Sequence, residues 1–179
     1  MQREISAAIH DAWKVNAHEI KSGVIYRDPK VRVTAFPTKH AMESYGYRFD
    51  TPDRSIVVSG DTNPTDETIK ACNGCDVLIH EGRSQEFFDL LPQGPRTFGA
   101  KFHTTSEQLA ALAAKAKPGL LIVYHSSISW RGVPRTSPSS NPLLLISTGE
   151  FDPTPDVLQR EIASRYSGHF VIARDLDVY

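Results

Sequence analysis

Apolar and polar positions alternate from Val31 to Phe36 in VRVTAF, a half-buried strand pattern that stops at Pro37. Ser44 to Thr51, SYGYRFDT, is aromatic and reads as a second strand. After a turn at Pro52-Asp53, SIVVS over Ser55–Ser59 reads as a third. DVLIH (Asp76–His80) and LLIVY (Leu120–Tyr124) are continuous apolar runs, as expected of strands buried in a sheet.

Helical spacing fills the intervals. Ile5, Ala8, Ile9 and Trp13 predict a helix over 4–15. Pro64 to Cys72 is bracketed by Pro64 near its start and Gly74 just past its end. Thr104-Thr105-Ser106-Glu107 fits a capping box, and Leu109, Leu112, Ala113 and Ala116 mark one buried face of the helix it opens. Pro118-Gly119 ends that helix. Val157–Tyr166 predicts another, stopped by Gly168, and His169–Ala173 a closing strand. Residues 82–102 hold Pro92, Gly94, Pro95 and Gly99 and read as irregular. A long surface loop rich in proline and serine is expected over 130–155, with one apolar patch at Leu143–Ile146. Alternating strands and helices predict a layered α/β fold, with residues 1–179 forming a single domain.

Composition narrows the function classes. The chain has 179 residues, 40% hydrophobic and 23% charged, and a formal net charge of −1. That balance gives no electrostatic footprint for nucleic acid or an anionic membrane. No stretch reaches the roughly 18 apolar residues of a membrane span. The N-terminus mixes acids into an amphipathic run and is no signal sequence, so the cytoplasm is the expected compartment. Both cysteines lie in Cys72-Asn73-Gly74-Cys75. Such a pair can act in redox chemistry or supply half of a four-thiolate zinc site, but no second pair exists, and this one precedes a strand. The expectation is two reduced structural thiols.

Ligand-type residues gather at the element ends. His40 follows the first strand, Asp61 the third, His80-Glu81 the fourth and His125 the LLIVY strand, while His103 precedes a helix. Singly, each has an ordinary reading: a hydrogen-bonded loop histidine, a turn acid after Gly60, a polar strand terminus. Jointly they suggest a site, because α/β sheets bind ligands beyond their strand ends. Imidazole with carboxylate suits zinc, manganese or iron.

The stretches FPTKHAMESYGYRF, VVSGDTN, DVLIHEG and FHTTSEQLAALAAKAKPGLLIVYHSS, with the ending ARDLDVY, occur here in that order. They resemble the C-terminal half of metallo-β-lactamase-fold hydrolases of the ribonuclease Z-like branch, over about residues 17–128. The resemblance implies an αββα sandwich and hydrolysis of a phosphoester or related ester by water activated at two metal ions. It implies His40 and His125 as histidine ligands and Asp61 as the carboxylate bridging both ions. It also implies His103 as proton donor, its ring oriented by Glu81. The turn at Gly60 would then release the Asp61 carboxylate at the sheet edge. The implied substrate is a small ester or phosphodiester; RNA is admitted by the family but not indicated by the charge.

The family's His-x-His-x-Asp-His motif is absent; His10-Asp11 is the nearest approach. The chain is therefore expected to be a partial fold lacking the N-terminal half, its first 16 residues matching the helix that follows that half. Each zinc ion would keep two ligands, where zinc sites use three or four, so binding is expected to be weak or partial. A half-sandwich would also leave an apolar sheet face uncovered, which predicts a homodimer. The segment Ser126–Trp130 lacks the Arg-Tyr common in RNA-processing members. The alternative is a non-catalytic remnant acting as a binding or oligomerising module.

Overall fold

The protein is described by a computed structural model over residues 17–91, 93–126 and 155–179. The helix expected at 4–15 and all but the last residue of the loop expected at 130–155 lie outside the described residues. Seven strands form one mixed sheet in sequential order: β1 (Gly23–Arg27), β2 (Arg32–Pro37), β3 (Tyr45–Asp50), β4 (Ser55–Val58), β5 (Val77–Glu81), β6 (Leu120–Tyr124) and β7 (Phe170–Ile172). The first four pair antiparallel and β4 to β7 pair parallel. The α/β class is as expected. β1 was not among the expected strands although Val24, Ile25 and Tyr26 form a short apolar run; all five of its residues are exposed.

Period-two alternation sets the two faces of the sheet. Val57, Leu78, Leu121 and Val123 point into a core completed by Leu109, Leu112 and Ala113 of α4 (Ser106–Ala116) and by Leu158 and Ile162 of α5 (Pro155–Ala163). Cys72, at the end of α1 (Asp66–Cys72), joins the same core. Leu78, Leu109 and Leu121 are fully buried, and each such side chain contributes about 1.5–3 kcal/mol. The opposite face carries Ile56, Val58, Ile79 and Ile122, each half-buried.

Three local expectations need correction. Residues 82–102 are not irregular: α2 (Gln85–Leu90) and α3 (Gln93–Phe102) occupy them. The start of α2 is capped by Ser84 and by the Glu161 carboxylate of α5, which accepts from the Gln85 and Glu86 amides. That second cap is tertiary and leaves no local signal. Pro95 falls in the opening turn of α3, where a missing amide proton costs nothing.

The capping box lies one residue later than expected. Thr105 is the cap and Gln108 its partner, because the Thr104 hydroxyl is used elsewhere, donating to the Thr62 carbonyl at 2.6 Å.

Cys72 and Cys75 form a disulfide and are not free thiols. Asn73 in the left-handed region and Gly74 at φ +80° curl the chain so that the two Cα atoms stand 4.7 Å apart, within bridging range. Among the described residues, no helix is long and apolar enough to cross a membrane.

Candidate metal centre

Strand direction explains why the ligand-type residues meet. β2 is antiparallel to β3, and β3 to β4, so β2 runs in the same direction as β4, β5 and β6. The C-terminal ends of these four strands share one edge, and His40, Asp61, Glu81 and His125 lie at or just beyond them. Gly60, at φ +66°, turns the chain after β4 in a conformation that favours glycine. His125 leaves β6 with φ +47°, again left-handed.

The side chains converge. His40, Asp61 and His103 each present one donor atom, all within 4.8 Å of one another. His125 Nε2 lies 3.3 Å from Asp61 Oδ2. The His103 ring stands 5.2 Å from that of His40 and 5.9 Å from that of His125, centroid to centroid. His40, Asp61 and His103 can therefore hold a metal ion together: two imidazoles and a carboxylate are a donor set suited to zinc. His125 borders this set through Asp61.

Glu81 is completely buried beneath the cluster and both its oxygens lie within hydrogen-bonding distance of His103 Nδ1, at 3.1 and 3.0 Å. One of them also accepts the Thr62 amide. With Nδ1 committed to this carboxylate, His103 keeps Nε2 for the cluster.

His80, adjacent in sequence, takes no part. It faces the core side, fully buried, with Nδ1 2.7 Å from the Glu81 carbonyl oxygen and Nε2 without a partner among the described residues. Burial lowers its pKa, which keeps it neutral. Tyr124, at the end of β6, is half-buried; desolvation raises its phenol pKa, and the charges of Asp61 and Glu81 add to the rise.

Two threonines hold the loops together: Thr104, expected only as a helix cap, and Thr62, which the sequence did not single out. Thr62 is fully buried; its hydroxyl accepts the Lys39 amide at 2.9 Å, and its carbonyl accepts the Thr104 hydroxyl. Lys39 and Asn63 add a short antiparallel bridge. Thr62 thus ties the His40, Glu81 and His103 segments to the Asp61 loop. Each threonine directly follows a site residue, in Asp61-Thr62 and His103-Thr104, but nothing in the sequence marks either as buried.

A family model described as "Beta-lactamase superfamily domain" matches residues 2–126. A "Ribonuclease Z" of Mycobacterium sp. (strain KMS) is 29% identical over 113 residues, covering 62% of this chain and 40% of that protein. The chain thus spans less than half the length of this curated relative. In solved structures, the metallo-beta-lactamase fold protein YhfI from Bacillus subtilis superposes with a TM-score of 0.60 at 20% identity, covering 87% of this chain and 52% of that one. A metallo hydrolase from the hyperthermophilic archaeon Ignicoccus hospitalis gives 0.56 at 12% identity, over 96% and 63%. At these identities the superpositions speak for the fold.

Proposed function

This chain belongs to the metallo-β-lactamase superfamily, and on that premise we propose that its strand-end cluster serves metal-dependent hydrolysis of a phosphoester or related ester. The observation that carries the proposal is the meeting of His40, Asp61 and His103 donor atoms within 4.8 Å, with His125 against Asp61. These residues arrive from separate loops and would have no common reason to converge in a purely structural sheet edge.

In this reading His40, Asp61 and His125 would hold two metal ions between them, with two ligands for each. A bound divalent ion supplies Lewis acidity and makes water nucleophilic near neutral pH. His103 delivers a proton from Nε2 to the departing oxygen, while the Glu81 carboxylate fixes its tautomer and stabilises its charged form. The buried hydrogen bonds of Thr62 keep these loops in register as charge moves. The cluster lies on the C-terminal side of parallel strands, where loops leave room for a substrate. The ribonuclease Z relative favours a phosphodiester, and the net charge of −1 favours a small substrate over RNA.

A second assignment is favoured by one observation: the His103 donor atom lies within the three-residue group itself. A metal-bound histidine commonly donates its other ring nitrogen to a carboxylate, as His103 can to Glu81. In that case His103 is the third ligand of one ion.

Metal analysis after dialysis separates the two. With His40, Asp61 and His125 as ligands, zinc is expected at low or partial occupancy; with His103 as third ligand, near one tightly held ion per chain. In both cases hydrolysis of an activated phosphodiester follows the metal, and activity that survives chelation would overturn the proposal.

The half-buried face of Ile56, Val58, Ile79 and Ile122 supports an association of two copies, since obligate interfaces resemble a core cut in half. Light scattering is expected to give twice the chain mass. A stable monomer would count against it.

A further inference from the structure

We propose that Arg83 is the anion-binding side chain of this centre, holding a charged oxygen of a phosphoryl or sulfuryl group beside the cluster. The inference rests on the hydrolytic reading above and adds a determinant of substrate class.

Direction comes first. The extended course of β5 continues to Arg83 through a parallel bridge with Thr105. Gly82 faces the core: a Cβ there would lie 2.7 Å from Leu109 Cδ2 and 2.9 Å from Val123 Cγ1. Alternation therefore turns Glu81 and Arg83 to the opposite side, towards the cluster. The Arg83 amide donates to the Thr104 carbonyl at 3.0 Å, and its carbonyl accepts the Ser106 amide at 2.7 Å. These bonds fix the residue next to the His103 segment.

Charge comes second. Glu81 and Asp61 are near enough to act on the Arg83 guanidinium electrostatically, yet among the described residues it forms no ion pair with either. Glu81 is engaged by Thr62 and His103, and Asp61 lies against His125. Among the described residues, Arg83 Nε is buried with no hydrogen-bond partner. Burying part of a guanidinium with its Nε unpaired is costly, and the nearby charges of Glu81 and Asp61, both engaged elsewhere, offset that cost only in part. Its planar fork matches a tetrahedral oxyanion in bidentate fashion, which a lysine ammonium does not. Substrate supplies the missing partner.

The test uses the full chain and two readouts. Zinc binding is measured first by calorimetry for the wild type, Arg83→Gln and Arg83→Lys; inorganic phosphate and sulfate are then titrated into each zinc-loaded protein. Zinc affinity is expected to be unchanged. Phosphate affinity is expected to fall about 10–100-fold in Arg83→Gln, the scale of a hydrogen bond to a charged group, with Arg83→Lys intermediate. A comparable loss for sulfate would make the site one for tetrahedral oxyanions in general; a loss for phosphate alone would assign it to phosphoryl groups.

In kinetics, Arg83→Gln should raise KM for an activated phosphodiester and leave KM for an uncharged activated ester alone. A wild type that binds no zinc sinks the hydrolytic reading. Zinc bound normally with equal phosphate affinity in wild type and Arg83→Gln, or KM raised equally for both esters, overturns the assignment of Arg83 alone. Arg83→Lys, which keeps the charge, covers the case in which Arg83→Gln does not fold.

Discussion

Asp61→Ala is expected to remove metal and hydrolysis together while leaving the fold intact. Its carboxylate is common to the three-residue group and to His125, so its loss reaches both. Losing a partner that only supports a metal ligand costs about 10–100-fold in affinity, and losing the ligand itself should cost at least that. The loop need not collapse with it. The amide, hydroxyl and carbonyl of Thr62 and the bridge from Lys39 to Asn63 hold the backbone without the Asp61 side chain. The check is metal content, activity and melting temperature on one preparation. If Asp61→Ala keeps its metal, the centre is elsewhere.

The second large effect is expected at His103. With Glu81 on Nδ1 and Nε2 turned to the cluster, His103→Ala should lower turnover by about 10²–10⁴-fold with metal content unchanged. Glu81→Gln tests the same unit from the other side: it keeps the volume, removes the charge that stabilises the imidazolium, and should give a smaller loss in the same direction. Removing the ring also deprives a fully buried carboxylate of a partner, so some loss of melting temperature should accompany His103→Ala. Loss of metal alongside turnover would identify His103 as a ligand, and its membership of the three-residue group gives that outcome its physical basis.

Much of the fold was legible along the chain. VRVTAF, SIVVS, DVLIH and LLIVY became β2, β4, β5 and β6 with ends shifted by no more than one residue, because one face or both faces of each strand are buried and the apolar pattern records that burial. β1 broke that correspondence: Val24, Ile25 and Tyr26 are an apolar run that the fold leaves exposed. Residues 82–102 misled because their helices are stabilised from outside, by Glu161 at the start of α2 and by Phe88 lying against Gly99 of α3. The cysteine pair was read as free thiols because spacing alone does not reveal the left-handed turn that joins them.

By itself the sequence determined the α/β class and the strands that build the edge of the centre, and it offered His40, Asp61, Glu81, His103 and His125 as candidates. The strands follow from local periodicity, and the candidates from residue chemistry at element ends together with the family resemblance, all written along the chain. Only the tertiary structure decided which donors share one site, that His80 turns into the core while Glu81 turns towards His103, and that Thr62 ties four segments together. It also left Arg83 Nε buried with no hydrogen-bond partner among the described residues. Such facts depend on strand direction, alternation across the sheet and hydrogen bonds between residues up to 42 positions apart. Distances of that kind are set when the sheet assembles, and no local pattern encodes them.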